Sequence, residues 1–302
     1  MRIAVCGGTG FIGQALCKRW LQDGHDIVIV TRSVPKSHAQ TEHNGHLSYL
    51  TWDEMKSNPE RFEHLDALIN LAGSSLSQRW TREGKQRILQ SRQKTVSSVA
   101  ELMHKLEHKP AVIVQASAMA IYGTSEHKTF DEESPATIMD FPSEVVSEWE
   151  QAADRIPVDR LIKLRISVVL GNPGGALPKM LLPYKAGVGG KIGSGKQWLS
   201  WIHINDIADL IDYCVRHKEI SGAVNAASPH AVRNDEFGRC VAKVYHRPHW
   251  LPLPAFMLQA ILGEMSLILL KGQRIVPAKA LRHGFQFRYA ELTEALRQIR
   301  ES

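Results

Sequence analysis

The sequence predicts an α/β protein built on a doubly wound parallel sheet, with a smaller C-terminal region appended. Three observations point there. A glycine-spaced loop lies between an apolar run and a helical pattern at the start of the chain. Strand and helix patterns then alternate to about residue 171, and beyond it they give way to glycine- and proline-rich segments. Such alternation is the mark of parallel strands joined by right-handed helical crossovers.

Ile3-Ala4-Val5-Cys6 is a short apolar run suited to a strand covered on both faces. Ile12, Leu16 and Trp20 recur at helical spacing with Ala15 beside them, and Ile27–Val30 supplies a second strand. Residues 47–52 and 66–71 read as the third and fourth strands. A long amphipathic helix is expected over about 84–108, with Ile88, Thr95, Val99 and Met103 on one side. Residues 111–117 give a fifth strand and 161–170 a sixth, separated by a helix face of Val145, Val146, Trp149, Ala152 and Ala153. Residues 1–171 are therefore expected as the ligand-binding domain. Residues 172–302 are expected as a smaller cap, with one segment near 222–227 returning to the sheet.

Composition narrows the function classes. The 302 residues are 43% hydrophobic and 23% charged, ordinary for a globular chain with an ample core. The net charge is +6, yet lysines and arginines are scattered, and no run tracks a phosphate backbone, so no nucleic-acid partner is expected. Cys6, Cys17, Cys214 and Cys240 show no Cys-x-x-Cys spacing and sit in apolar segments. Reduced, partly buried thiols in a cytoplasmic protein are expected, and no metal site. Met1 leads straight into a strand, so no signal peptide is expected. The apolar stretch Leu253–Leu270 is interrupted by Pro254, Gln259 and Glu264, and reads as two short helices broken near Gly263, not as a membrane span. Gly190–Gln197 nearly matches a phosphate loop, but Gln197 replaces the magnesium-binding hydroxyl and no buried strand precedes it.

The opening loop carries the chemistry. Gly7-Gly8-Thr9-Gly10-Phe11-Ile12-Gly13 sits between strand and helix, the context in which glycines let backbone approach a pyrophosphate at a helix N-terminus. The spacing Gly7-x-x-Gly10-x-x-Gly13 differs from the usual dehydrogenase fingerprint. An NAD site would place Asp or Glu at the end of the second strand. This chain has Thr31-Arg32-Ser33, and an arginine with two hydroxyls suits a 2′-phosphate, so NADP(H) is the expected cofactor.

Asn70-Leu71-Ala72-Gly73, Ser117-x-x-x-Ile121-Tyr122-Gly123 and the glycine loop together resemble the extended short-chain dehydrogenase/reductases. Arg165–Gly171, Gly174–Leu177, Trp198–Asp206 and Gly284–Phe287 narrow the resemblance to an atypical bacterial "epimerase family" branch with its own C-terminal region. The resemblance implies a Rossmann-type domain and a small substrate domain. Gly7, Thr9, Gly10, Phe11, Ile12 and Gly13 would then serve the pyrophosphate, Thr31, Arg32 and Ser33 the 2′-phosphate, and Leu71, Ala72 and Gly73 the cofactor trough. Ser117 matches the substrate-orienting serine. The pattern fails at the Tyr-x-x-x-Lys pair, because the corresponding stretch Phe141–Glu150 contains neither residue. Tyr122 has Glu126 at its +4 position, which would raise a phenol pKa.

Two readings follow. In one, an NADP-dependent oxidoreductase or epimerase acts on an unidentified small molecule, Ser117 and Tyr122 orienting a carbonyl and His203 or Glu144 moving the proton. His203 serves equally as a structural residue at a helix start, and Trp198 and Trp201 equally as a substrate wall or as core. In the other, the chain is a non-enzymatic NADP(H) sensor with a docking face at 253–270. Relatives of this fold often form a homodimer through their long helices, and the sequence leaves that assembly open here.

Overall fold

The computed structural model describes residues 1–34, 46–76 and 78–302. Strands β1 (Arg2–Cys6), β2 (Asp26–Thr31), β3 (Leu47–Thr51), β4 (Ala67–Asn70) and β5 (Val112–Ala118) alternate with helices α1 (Phe11–Gln22), α2 (Trp52–Ser57) and α3 (Arg82–Lys105). A two-residue β6 (Thr129–Phe130) precedes α4 (Phe141–Ala153), β7 (Leu161–Ile166) and β8 (Val168–Leu170). The chain continues through α5 (Leu177–Met180), α6 (Leu182–Lys185), β9 (Trp198–Leu199), β10 (Trp201–His203), α7 (Ile204–Arg216) and β11 (Gly222–Ala226). It ends with β12 (Val232–Arg233), α8 (Asn234–Tyr245), α9 (Ala255–Leu262), α10 (Leu267–Leu270), β13 (Arg274–Ile275), α11 (Ala278–Arg282) and α12 (Leu292–Glu301).

Seven strands pair in parallel in the order β11-β7-β5-β4-β1-β2-β3. Because side chains alternate along a strand, β1 feeds two cores. Ile3 and Val5 pack with Leu16 and Trp20 of α1 and Ile207 and Ile211 of α7. Ala4 and Cys6 pack on the other face with Val96 and Val99 of α3 and Trp149 of α4. These are the two helical layers of a doubly wound fold. A third cluster joins Leu170 and Trp201 to Phe237 and Val241 of α8 and Leu292 and Leu296 of α12.

Local chemistry sets several boundaries. Residue 52 is not in the third strand: the Thr51 hydroxyl accepts from the Glu54 N–H and the Glu54 carboxylate accepts from Thr51 N–H, a reciprocal cap that starts α2 there. Thr81 caps α3 through Gly84 N–H, so the long helix begins at Arg82 and ends at Lys105. The single strand expected over 161–170 is two. At Ser167 the chain steps out of the sheet, its N–H donating to Ala226 O, and Val168 N–H donates to Ser200 O as β8 turns to pair with β10. Residues 255–270 form two short helices parted at Gly263, whose φ of +56° is left-handed. No helix among the described residues is long and apolar enough to cross a membrane.

Candidate functional site

Ligands of such sheets bind beyond the carboxyl ends of the strands, where the strand order reverses. There, between the ends of β1, β2, β3 and β4, lies a cleft of about 650 Å³. Gly7, Thr9 and Gly10 from the loop after β1, Thr31 and Arg32 from β2, and Leu71, Ala72 and Gly73 after β4 all line it.

Two glycines make this geometry. Gly7 has φ +83°, and a Cβ on it would meet the backbone N of Ala72 at 3.0 Å, so only glycine lets the loop touch the β4 end. A Cβ on Gly13 would lie 2.4 Å from the Gly7 carbonyl oxygen, so α1 starts tight against the loop. Gly10 caps α1 without a side chain, leaving its first turn free of side-chain acceptors beside the cleft. Phe11, Ile12, Gly13 and Ser33 do not line the cleft. The Phe11 ring instead packs on the backbone of Gly174 and Gly175, where any Cβ would strike it. Thr31 is buried, its hydroxyl donating to Ser33 O at 3.2 Å, while Arg32 is exposed.

The opposite wall includes residues the sequence reading passed over. Trp52, Asp53 and Lys56 of α2 line the cleft, as do Ser91, Lys94, Thr95 and Ser98 of α3. Thr95 Oγ1 donates to Ala72 O and Ser91 Oγ accepts from Ser74 N–H, fastening α3 to the loop after β4. A signal existed: hydroxyls at 91, 95 and 98 follow helical spacing along α3.

Ser117 and Tyr122 lie elsewhere and are closed. Ser117 Oγ donates to Glu150 Oε1 at 2.6 Å. Glu150 takes both Nε (2.9 Å) and Nη2 (3.0 Å) of Arg165, while Arg165 Nη1 donates to the Tyr122 oxygen at 2.8 Å. The Tyr122 hydroxyl in turn donates to Asn225 Oδ1 at 2.7 Å. Burial pushes the Tyr122 phenol up to about 12, against the opposing pull of Arg165. Burial raises the Glu150 carboxyl too, but Arg165 and Ser117 outweigh it and hold it below its ordinary value. Tyr122 and Ser117 are 1% and 3% exposed, so this is a satisfied buried network with no open acid or base.

His203 caps α7 far from that network. Its Nδ1 accepts from Asn205 N–H, its Nε2 donates to Gln298 Oε1 at 2.8 Å, and its ring lies against Tyr289. It is fully buried, and burial lowers its pKa to about 4, so it stays neutral at physiological pH with both nitrogens engaged. Both ring nitrogens therefore serve partners within the protein. Glu144 is exposed in the first turn of α4, and Trp201 is core, its Nε1 donating to His230 O. Trp198 is half-buried, with the Arg233 guanidinium 3.7 Å from its ring centre. No group of His, Cys, Asp and Glu among the described residues has metal-site geometry.

A family model described as the NAD dependent epimerase/dehydratase family matches residues 3–227, and a domain of unknown function matches 253–299. The chain is 44% identical over 302 residues to the epimerase family protein YfhF of Bacillus subtilis (strain 168), covering 99% of this chain and 98% of that one. A chloroplastic SDR39U1 homolog of Arabidopsis thaliana is 38% identical over 302 residues, with 99% and 86% covered. Among solved structures, the human epimerase family protein SDR39U1 (isoform 2) with NADPH superposes with a TM-score of 0.91 at 35% identity, covering 100% of both chains.

Proposed function

Because the chain belongs to the NAD dependent epimerase/dehydratase family, we propose that its cleft binds a dinucleotide and that this dinucleotide is NADP(H). The joint between loop and sheet carries the reading. Gly7 and Gly13 let the loop close on the end of β4 and on the start of α1, so that backbone and the positive end of α1 stand beside the cleft, which suits a pyrophosphate. Arg32 stands where an NAD site would carry a carboxylate, and a guanidinium pairs with a 2′-phosphate through two hydrogen bonds. Lys56 and Lys94 add positive charge to the same cleft, and Asp53, one strand farther out, offers an acceptor to an adenine amine. The NADPH carried by the human relative supports the same choice.

When bound, NADP(H) supplies a hydride donor or acceptor. Of the acid–base groups the sequence offers, the Tyr122 phenol and neutral His203 are sequestered, α4 has neither Tyr nor Lys, and only the Glu144 carboxylate is exposed. That observation favours an NADP(H)-responsive binding protein over an oxidoreductase or epimerase of the usual tyrosine-dependent kind.

Titration of the protein and of Arg32→Asp with NADPH and NADH tests the cofactor. NADPH should bind tighter, and the substitution should erase a preference of about ten- to a hundredfold. Equal affinities in the parent overturn the NADP(H) choice, and no binding of either overturns the dinucleotide reading. Mixing with NADPH and a panel of carbonyls and nucleotide sugars tests the second point: sustained NADPH oxidation or epimerisation overturns the binding-protein reading.

A further inference from the structure

Arg92 sits in the middle of α3 between Ile88 and Val96, on its buried face, and is only 7% exposed. A cation in such a place is costly unless something compensates it. Among the described residues it makes one hydrogen bond through its five N–H donors, Nη1 donating to the Ile88 carbonyl at 3.0 Å one turn back on the same helix. The guanidinium carbon lies 4.9 Å from the centre of the Trp149 ring on α4. Burial alone lowers its pKa, to about 10, with no carboxylate opposing the shift. The indole Nε1 of Trp149 is also buried with no acceptor among the described residues. Two buried donor groups, the Arg92 guanidinium and the Trp149 indole, thus lie together without a carboxylate on either of them among the described residues.

The position of the guanidinium gives this meaning. A Cβ on Gly73 would point at Arg92, 3.7 Å from Cζ and 3.9 Å from Nε. Gly73 lines the cleft, and so do Ser91 and Thr95 on the same stretch of α3; Arg92 stands directly behind that lining, at Gly73. The two ends of the cleft are distinguishable. Arg32 and Asp53, after β2 and β3, mark the adenosine end, and β4 and β5 lie on the opposite side of β1. A dinucleotide laid across the switch point must extend its second half that way, past Gly73.

We propose that Arg92 binds the nicotinamide half of NADP(H), its unused N–H groups donating to ribose and phosphate oxygens of that half beside Gly73. This rests on the NADP(H) reading above. It also accounts for a vacancy in the sequence of α4, which carries Phe-Pro-Ser-Glu-Val-Val-Ser-Glu-Trp-Glu-Gln-Ala-Ala and no lysine. The cation comes from α3 instead, and the ligand supplies the oxygen acceptors that the protein omits around it.

The test uses two ligands: NADPH, and adenosine 2′,5′-bisphosphate, which keeps the adenosine end and its 2′-phosphate but lacks the nicotinamide half. Arg92→Leu should weaken NADPH about ten- to a hundredfold and leave the bisphosphate unchanged. Arg92→Lys should recover part of the loss. Arg92→Gln carries the same comparison where the leucine variant does not fold, and retained bisphosphate binding reports an intact cleft. Unchanged NADPH affinity overturns the proposal. Equal losses for both ligands also overturn it, since they mean that Arg92 only holds α3 in place. Parent protein that takes neither ligand overturns the NADP(H) reading itself, and the proposal with it.

Discussion

The cleft beyond β1–β4 and the network between β5, β7 and α4 are both polar, yet they are built on opposite plans. In the cleft, backbone is brought together by absent side chains, at Gly7 and Gly13, and cations such as Arg32 and Lys94 face open space. In the network every strong group is spent: Arg165 gives two hydrogen bonds to Glu150 and one to Tyr122, and Tyr122 passes its proton to Asn225. A site that takes an anionic ligand needs donors in surplus, while one that fixes a fold needs none left over. Surplus donors identify the binding region here, and full satisfaction identifies the structural one.

The contrast breaks most visibly at Arg165. Arg165→Met leaves the buried Glu150 carboxylate with only Ser117 and the more distant Lys163, and should cost about 3 kcal/mol of stability. Urea unfolding measures it, and a loss below about 1 kcal/mol would mean that the ion pair is not structural. NADPH affinity of the folded variant should match the parent, because the network does not line the cleft.

Acid should next probe the buried groups. His203 has a folded pKa near 4, below its ordinary 6.5, so the unfolded chain takes up the proton first as pH falls. Its contribution is complete above about pH 6.5 and is lost as pH falls toward 4, on the order of 3 kcal/mol in all. Glu150, also held low, contributes in the same direction but in a lower window, its share being lost as pH drops below the ordinary carboxylate range. His203→Asn should remove the upper step in stability against pH. A step that survives in that variant assigns it to another group.

The two regions were also unequally legible in the sequence. The cleft's glycine loop was readable because its logic is local: seven consecutive residues carry the turn, the close approach and the helix start. The resulting fold, strands with helices on both faces, followed from periodicity. The break at Ser167 was not readable, because it depends on Ala226 and Ser200, which reach it from distant parts of the chain. His203 has a composition that invites catalysis, but its fate is decided by Gln298, 95 residues away. Ser117 and Tyr122 are near neighbours in sequence, yet their role is set by Glu150, Arg165 and Asn225. Arg92 drew no reading from the sequence, because the absence of a counter-ion beside it among the described residues is visible only once α3 is packed against α4.

The smallest expected effect separates the regions most cleanly. Tyr122→Phe removes a hydroxyl that serves Arg165 as acceptor and Asn225 as donor, leaving two buried polar atoms short of a partner. That should cost about 1–3 kcal/mol, less than loss of the arginine, since the Glu150–Arg165 pair stays whole. Its NADPH affinity should stay within about twofold of the parent, because a twofold change is well under 1 kcal/mol. If any turnover is found, it too should survive the change, since a phenol pushed up to about 12 stays protonated near neutrality and does not serve as a base. Loss of turnover with stability intact would instead make Tyr122 a reacting group, and the network part of the active site.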